Sequence, residues 1–75
     1  NPSTKISYKL QTSSYITIKI HDVAGRLVSE LVNARQNAGF YEVEFQAVDI
    51  SSGVYFYTLF VNGVSAATRT MSVVK

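Results

Sequence analysis

The run Ser52-Gly53-Val54-Tyr55-Phe56-Tyr57-Thr58-Leu59-Phe60-Val61 is the most apolar and aromatic stretch of the chain, and a turn signal bounds each end of it. Ser51-Ser52-Gly53 opens it and Asn62-Gly63 closes it. β-Branched and aromatic side chains fit a pleated, packed surface, so the run reads as a strand. One parity carries Tyr55, Tyr57, Leu59 and Val61; the other carries Val54, Phe56, Thr58 and Phe60. A strand apolar on both parities belongs in the middle of a sheet or has a second surface to cover.

Outward from this run the same alternation recurs. On its C-terminal side Asn62-Gly63 is a type I′ hairpin signal, and a strand follows from about Val64 to Lys75 with Met71 and Val73 on one parity. On its N-terminal side Ala47 to Ser52 reads as a loop. Before that, Tyr41, Val43 and Phe45 alternate with Phe40, Glu42, Glu44 and Gln46, and Gly39 marks a position of unusual φ. Asn1 to Thr4 is an irregular lead-in. Ile6, Tyr8 and Leu10 then alternate with Lys5, Ser7 and Lys9, and Ile16, Ile18 and Ile20 with Tyr15, Thr17, Lys19 and His21. The short polar connection Gln11 to Ser14 predicts that these two strands form an antiparallel hairpin.

Asp22-Val23-Ala24-Gly25 is a type I turn signal, Asp at its first position and Gly at its fourth. Gly25 and Gly63 are therefore expected at positive φ. From Arg26 to Val32 the parity is imperfect, because Val28 and Leu31 lie three apart. A bulge near Ser29-Glu30 would bring both to one face, and a helical turn would serve as well; the preceding hairpin turn favours a strand. The predicted core is Ile6, Tyr8, Ile16, Ile18, Ile20, Val43, Phe45, Tyr55, Tyr57, Leu59, Met71 and Val73. Six such runs with no convincing helix predict an all-β fold, an antiparallel β-sandwich of six to seven strands.

Composition narrows the functions. The 75 residues make one small domain, residues 1–75, and a chain of this size buries only roughly 60% of its unfolded surface. There is no cysteine, so neither a disulfide nor a thiolate–metal site supplements the core. The 47% hydrophobic content argues against a disordered tail. No apolar run approaches the roughly 20 residues that span a bilayer as a helix, so the chain is not expected to be membrane-spanning. A first residue of Asn rather than Met suggests a piece of a longer protein. The net charge is +2 and the pI about 9.1, yet Lys5, Lys9, Lys19, Arg26, Arg35, Arg69 and Lys75 never cluster. That argues against nucleic acid as a partner.

Constellations for chemistry are thin. Glu42 and Glu44 lie two apart on one strand face, roughly 7 Å from each other, a spacing that glycoside hydrolysis can use. They fall on the solvent parity, however, and read as a solvated face. His21 is the single histidine, and a transition-metal site would need Asp22 beside it. Calcium could draw on Asp22 and Asp49, but no ladder of alternating aspartates exists. Ser13, Ser14, Ser51 and Ser52 sit in turns, where serine bonds the local backbone. No metal, no cofactor and no catalysis is expected. The aromatics of the outer parities, Tyr15, Phe40, Phe56 and Phe60, either fill sandwich ends and edges or form a contact surface for a partner or a sugar.

The order of these residues carries a resemblance. Asn1-Pro2 precedes Ile6-x-Tyr8-x-Leu10, Ile16-x-Ile18 and Asp22-x-x-Gly25-Arg26-x-Val28; then come Leu31, Gly39, Ser52-Gly53-Val54-Tyr55 and a terminal Met71-x-Val73-x-Lys75. In this the whole chain resembles the C-terminal sorting domain of the type IX secretion system, the tail of secreted proteins in Bacteroidota-type bacteria. The resemblance implies an immunoglobulin-like sandwich, usually of seven strands, that serves as a non-enzymatic secretion signal. It implies a parent cargo domain ahead of this one, passage through the periplasm and outer membrane to the cell surface or medium, and two partners, the type IX translocon and a sortase-like peptidase that cleaves at or before Asn1. It places the sorting signal in Gly53, Tyr55, Thr70, Met71, Ser72, Val73, Val74 and Lys75, with Gly25, Gly39 and Gly63 as turn glycines. Lys75 is expected to project past the sheet, and loss of Ser72 to Lys75 to spare most of the fold. The competing reading is a structural or carbohydrate-binding β-sandwich module appended to an extracellular enzyme. Self-association is left open.

Overall fold

The computed structural model describes residues 3–47 and 50–74. Among these, every regular element is a strand: β1 Ser3–Leu10, β2 Ser14–Asp22, β3 Leu27–Gln36, β4 Gly39–Gln46, β5 Gly53–Val61 and β6 Val64–Val73. All pairings are antiparallel. β1 pairs with β4 in a two-stranded sheet, and β3-β2-β5-β6 form a four-stranded one. The aromatic run is therefore a central strand, flanked by β2 and β6. The fold is a small β-sandwich.

Period-two patterning sets the core. From the larger sheet Ile16, Ile18 and Ile20, all fully buried, join Val32, Tyr55, Met71 and Val73. From the smaller side Ile6, Leu10, Phe45 and Ala47 close over them. Tyr8, Val43, Tyr57 and Leu59, also expected inside, are partly buried and pack against this cluster. Leu10, Val32 and Ala47 are core residues missing from the predicted set.

The expected hairpin between the first two strands does not form. β1 pairs only with β4, while β2 lies between β3 and β5. The reason is coverage. Side by side, the two strands would leave the isoleucines of β2 without an opposing layer. Residues 11–13 instead carry the chain from one sheet to the other, held by the Ser14 hydroxyl donating to the Thr12 carbonyl at 3.1 Å. The Tyr8 hydroxyl ties the layers by donating to Gln36 Oε1 on β3.

β3 is a strand with two bulges rather than one. Ile18 faces Val32 and Lys19 faces Glu30, so Leu31 is the extra residue; Ile20 faces Ser29 and His21 faces Leu27, so Val28 is another. Both extra residues pack against the core. The expected site, Ser29-Glu30, lies between them.

Two turns are fixed by their own side chains. Asp22 Oδ1 accepts the Ala24 and Arg26 amides at 3.0 and 2.9 Å, and Oδ2 meets Arg26 Nε at 3.0 Å. The Gly25 amide donates to the Asp22 carbonyl at 3.0 Å with φ of +83°. These bonds to its charged form hold the Asp22 carboxyl below its ordinary value, led by the Arg26 amide. At the opposite pole Asn62 and Gly63 take φ of +53° and +83°, the signs a type I′ turn demands. The Asn62 amide donates to the Tyr15 carbonyl at 2.8 Å and its Oδ1 accepts from the Tyr15 amide at 2.9 Å, which extends the β2–β5 ladder by one residue.

The direction reverses at every connection. Ser3, Gln46, Gly53 and Val73 thus lie at one pole with the Asp22 turn, and Leu10, Ser14, Gln36, Gly39 and the Asn62-Gly63 turn lie at the other.

Candidate functional site

Residues 14 to 20 positions apart in sequence meet at the first of these poles. Gly53 faces Val73, Val54 faces Ser72, Tyr55 faces Met71 and Phe56 faces Thr70. The start of β5 and the end of β6 therefore make one patch, continuous through backbone pairing. Its inner side is firm: Tyr55, Met71 and Val73 are 8%, 7% and 3% exposed. The Tyr55 hydroxyl donates to the Ser51 carbonyl at 2.7 Å and pins the loop that feeds β5. Its outer side is mixed: Thr70, Ser72 and Val74 are exposed beside Val54, which is also exposed, and the half-buried Phe56. Lys75 lies outside the described residues. β6 is an edge strand, paired on one side by β5.

Val73 changes one expectation. A side chain buried this deeply is part of the core, so removing residues 72–75 strips packing as well as a terminus. Val73 thus belongs to the core as well as to the expected signal segment, and only the outward side chains can be altered without touching the core.

The turn glycines do not join the patch as a group. Gly25 belongs to the same pole, whereas Gly39, at φ of +151°, and Gly63 stand at the other.

The remaining candidates stay dispersed. Glu42 and Glu44 are exposed on the outer face of β4, opposite Ser7 and Lys5; Glu42 borders an open, shallow depression and Glu44 accepts from Gln46 Nε2 at 3.3 Å. His21 faces Phe56 on the outer side of the larger sheet. Asp22 spends its carboxylate on its own turn, and Asp49 lies outside the described residues. Among the described residues no group of three or more His, Cys, Asp or Glu comes together.

The outer aromatics divide between two surfaces. Tyr15, Phe56 and Phe60 share the outer face of the larger sheet, where the Tyr15 hydroxyl bonds Asn33 and Lys19 Nζ lies 5.6 Å from the Phe60 ring centre. Phe40, 81% exposed, stands on the other sheet beneath Lys9 Nζ at 5.2 Å. Beside it a shallow depression of about 540 Å³ is lined by Ser7, Lys9, Phe40 and Glu42 with Tyr8 and Tyr41. Those two tyrosines stack with ring centres 5.3 Å apart and lean on the core; burial holds the Tyr8 phenol above its ordinary value. The four outer aromatics thus form no single platform.

Comparison with protein families supplies the context for this geometry. The family model for the secretion system C-terminal sorting domain matches residues 1–74. Neither the curated proteins nor the solved structures gave a significant match.

Proposed function

Because the chain belongs to the family of secretion system C-terminal sorting domains, signals for type IX export to the cell surface or medium, we propose that the β5–β6 pole is the part of it that the export machinery reads. In this reading Gly53, Tyr55 and the segment Thr70 to Lys75 are one signal presented by one hairpin end. The domain performs no chemistry of its own. It is the C-terminal unit of a larger secreted protein, follows the cargo, is bound by the type IX translocon, and is cut away by a sortase-like peptidase ahead of β1.

The pairing of Gly53 with Val73 and of Tyr55 with Met71 carries this reading, because it unites the two sequence segments into one surface. Recognition of a folded label needs a rigid display, and the buried Tyr55, Met71 and Val73 provide one. The first described residue, Ser3, emerges at the same pole, so a partner bound there has the junction with the preceding chain within reach. The division of the outer aromatics between two sheets gives the sugar-binding reading no support of its own.

The test separates signal from fold by altering exposed positions alone. A reporter exported to the periplasm is fused ahead of the domain in a host with a type IX system. Val74→Asp combined with removal of Lys75 leaves the core side chains in place, so stability should move by no more than about 0.5 kcal/mol. Retention of this fusion in the periplasm is the expected result. Surface delivery equal to that of the unaltered domain would move the signal away from this pole.

A further inference from the structure

A sandwich built of two open sheets has four strand edges, and an unpaired edge invites another strand unless it is blunted. Three of the four edges here are blunted. β3 carries the two bulges at Val28 and Leu31. β1 carries Lys5 and Lys9, and β4 carries Glu42 and Glu44, all exposed. β6 differs. Its single irregularity lies near the far pole, where Ala66 is the extra residue between the pairs Phe60–Ser65 and Leu59–Ala67. From Ala67 to Val73 the register with β5 is unbroken over seven consecutive pairs. That segment holds no proline and a single charge, Arg69, which shares a parity with Met71 and Val73 and is exposed. Thr68, Thr70 and Ser72 form a small, uncharged outer row.

We propose that the edge of β6 from Ala67 to Ser72 is a strand-addition site for an extended segment of the export machinery that places a carboxylate against Arg69. The inference rests on the reading of the β5–β6 pole as the signal and names how that signal is held. Strand addition draws affinity from main-chain hydrogen bonds and specificity from alternate side chains. The incoming strand would continue the larger sheet. Its inward positions would meet Ala67, Arg69 and Met71, and its outward positions the Thr68–Thr70–Ser72 row. An acidic residue beside Arg69 gains a charge-assisted hydrogen bond, and a basic one is repelled. β6 itself carries no acidic residue to compete for that guanidinium.

The experiment installs on β6 the guard that β1 already carries. Thr68→Lys with Thr70→Lys, both at exposed outward positions, is compared in the reporter fusion with Ser7→Lys plus Gln46→Lys, which add equal charge to the smaller sheet. Both proteins are first checked to melt within a few degrees of the parent. The β6 pair should lower surface delivery at least about tenfold, equivalent to roughly 1.4 kcal/mol of lost docking energy, while the control pair is delivered normally. Arg69→Glu should lose delivery and Arg69→Lys should keep it. Normal delivery of the Thr68→Lys, Thr70→Lys protein overturns the strand-addition site while leaving the sorting reading intact; absence of delivery for the parent domain overturns the sorting reading itself. Sedimentation covers the other occupant. A parent domain that is dimeric and becomes monomeric with Thr70→Lys overturns the proposal in favour of a second copy.

Discussion

Deleting residues 72–75 takes away three exposed or terminal residues and one core side chain, and the core side chain decides the outcome. Val73 is 3% exposed, and burying such a valine contributes about 2 kcal/mol. The ladder bonds between the ends of β5 and β6 add about 1 kcal/mol net. The loss is therefore about 3 kcal/mol. A 75-residue domain is expected to have roughly 4–11 kcal/mol in all. At about 4–8 °C per kcal/mol the truncated domain should melt roughly 12–24 °C lower. Changing Val74, which is 64% exposed, together with removing Lys75 should shift the midpoint by at most about 2–4 °C, the equivalent of about 0.5 kcal/mol. The assay is thermal unfolding of the three purified proteins by circular dichroism, with urea titration for the free energy. A four-residue truncation that melts with the parent would refute the burial argument. Any export defect of that truncation could then be assigned to the signal alone.

Other positions give independent checks. Ile18→Ala, at a fully buried site on the central β2, should cost roughly 2–5 kcal/mol in urea unfolding, the range for large aliphatic deletions. Gly25→Val and Gly63→Val should each cost about 1–2 kcal/mol from backbone strain, because both positions hold φ of +83° and an added Cβ would meet nothing within 4 Å. The Asp22 carboxyl sits below its ordinary 3.8 in the folded state, so its contribution is complete above pH 3.8 and is lost as pH falls through the folded value. Acid unfolding should accordingly be less steep in Asp22→Asn than in the parent. The Tyr8 phenol sits above its ordinary 10.0, so its contribution is complete below pH 10.0 and is lost as pH rises through the folded value; ultraviolet titration should show one tyrosine ionising late, absent in Tyr8→Phe.

Alternation read along the chain located all six strands, because a half-buried strand must repeat its apolar residues every second position. It left their neighbours open. Ile6-x-Tyr8-x-Leu10 and Ile16-x-Ile18-x-Ile20 each announce an inner face, but period two says nothing of whether two such faces lie side by side or opposed. Only the need to cover Ile18 and its neighbours from above resolves that, and it sends β1 to β4. Val32 was hidden for a related reason. The extra residues at Val28 and Leu31 shift its parity, so the true inner residue fell out of a strict alternation. Within the candidate site, Tyr55 stands out beside the Ser51-Ser52-Gly53 turn signal, and Met71 and Val73 as apolar positions on one parity of the last strand. That Gly53 touches Val73 depends on the register set by the Asn62-Gly63 turn and the bulge at Ala66, and the bulge has no clear signature in sequence. Which edges are guarded became visible only once the pairing order was known.

The account stands on this chain being an export label, and the most direct measurement is where a reporter goes when the label is attached. A periplasmic reporter with and without residues 1–75 at its C-terminus is expressed in a type IX host and in a mutant of that host lacking the translocon. Surface protease accessibility and culture-medium assays then locate it. The account predicts reporter outside the outer membrane only when both the domain and the translocon are present, and periplasmic retention in the other three combinations. Equal distribution of the reporter with and without the domain would contradict it.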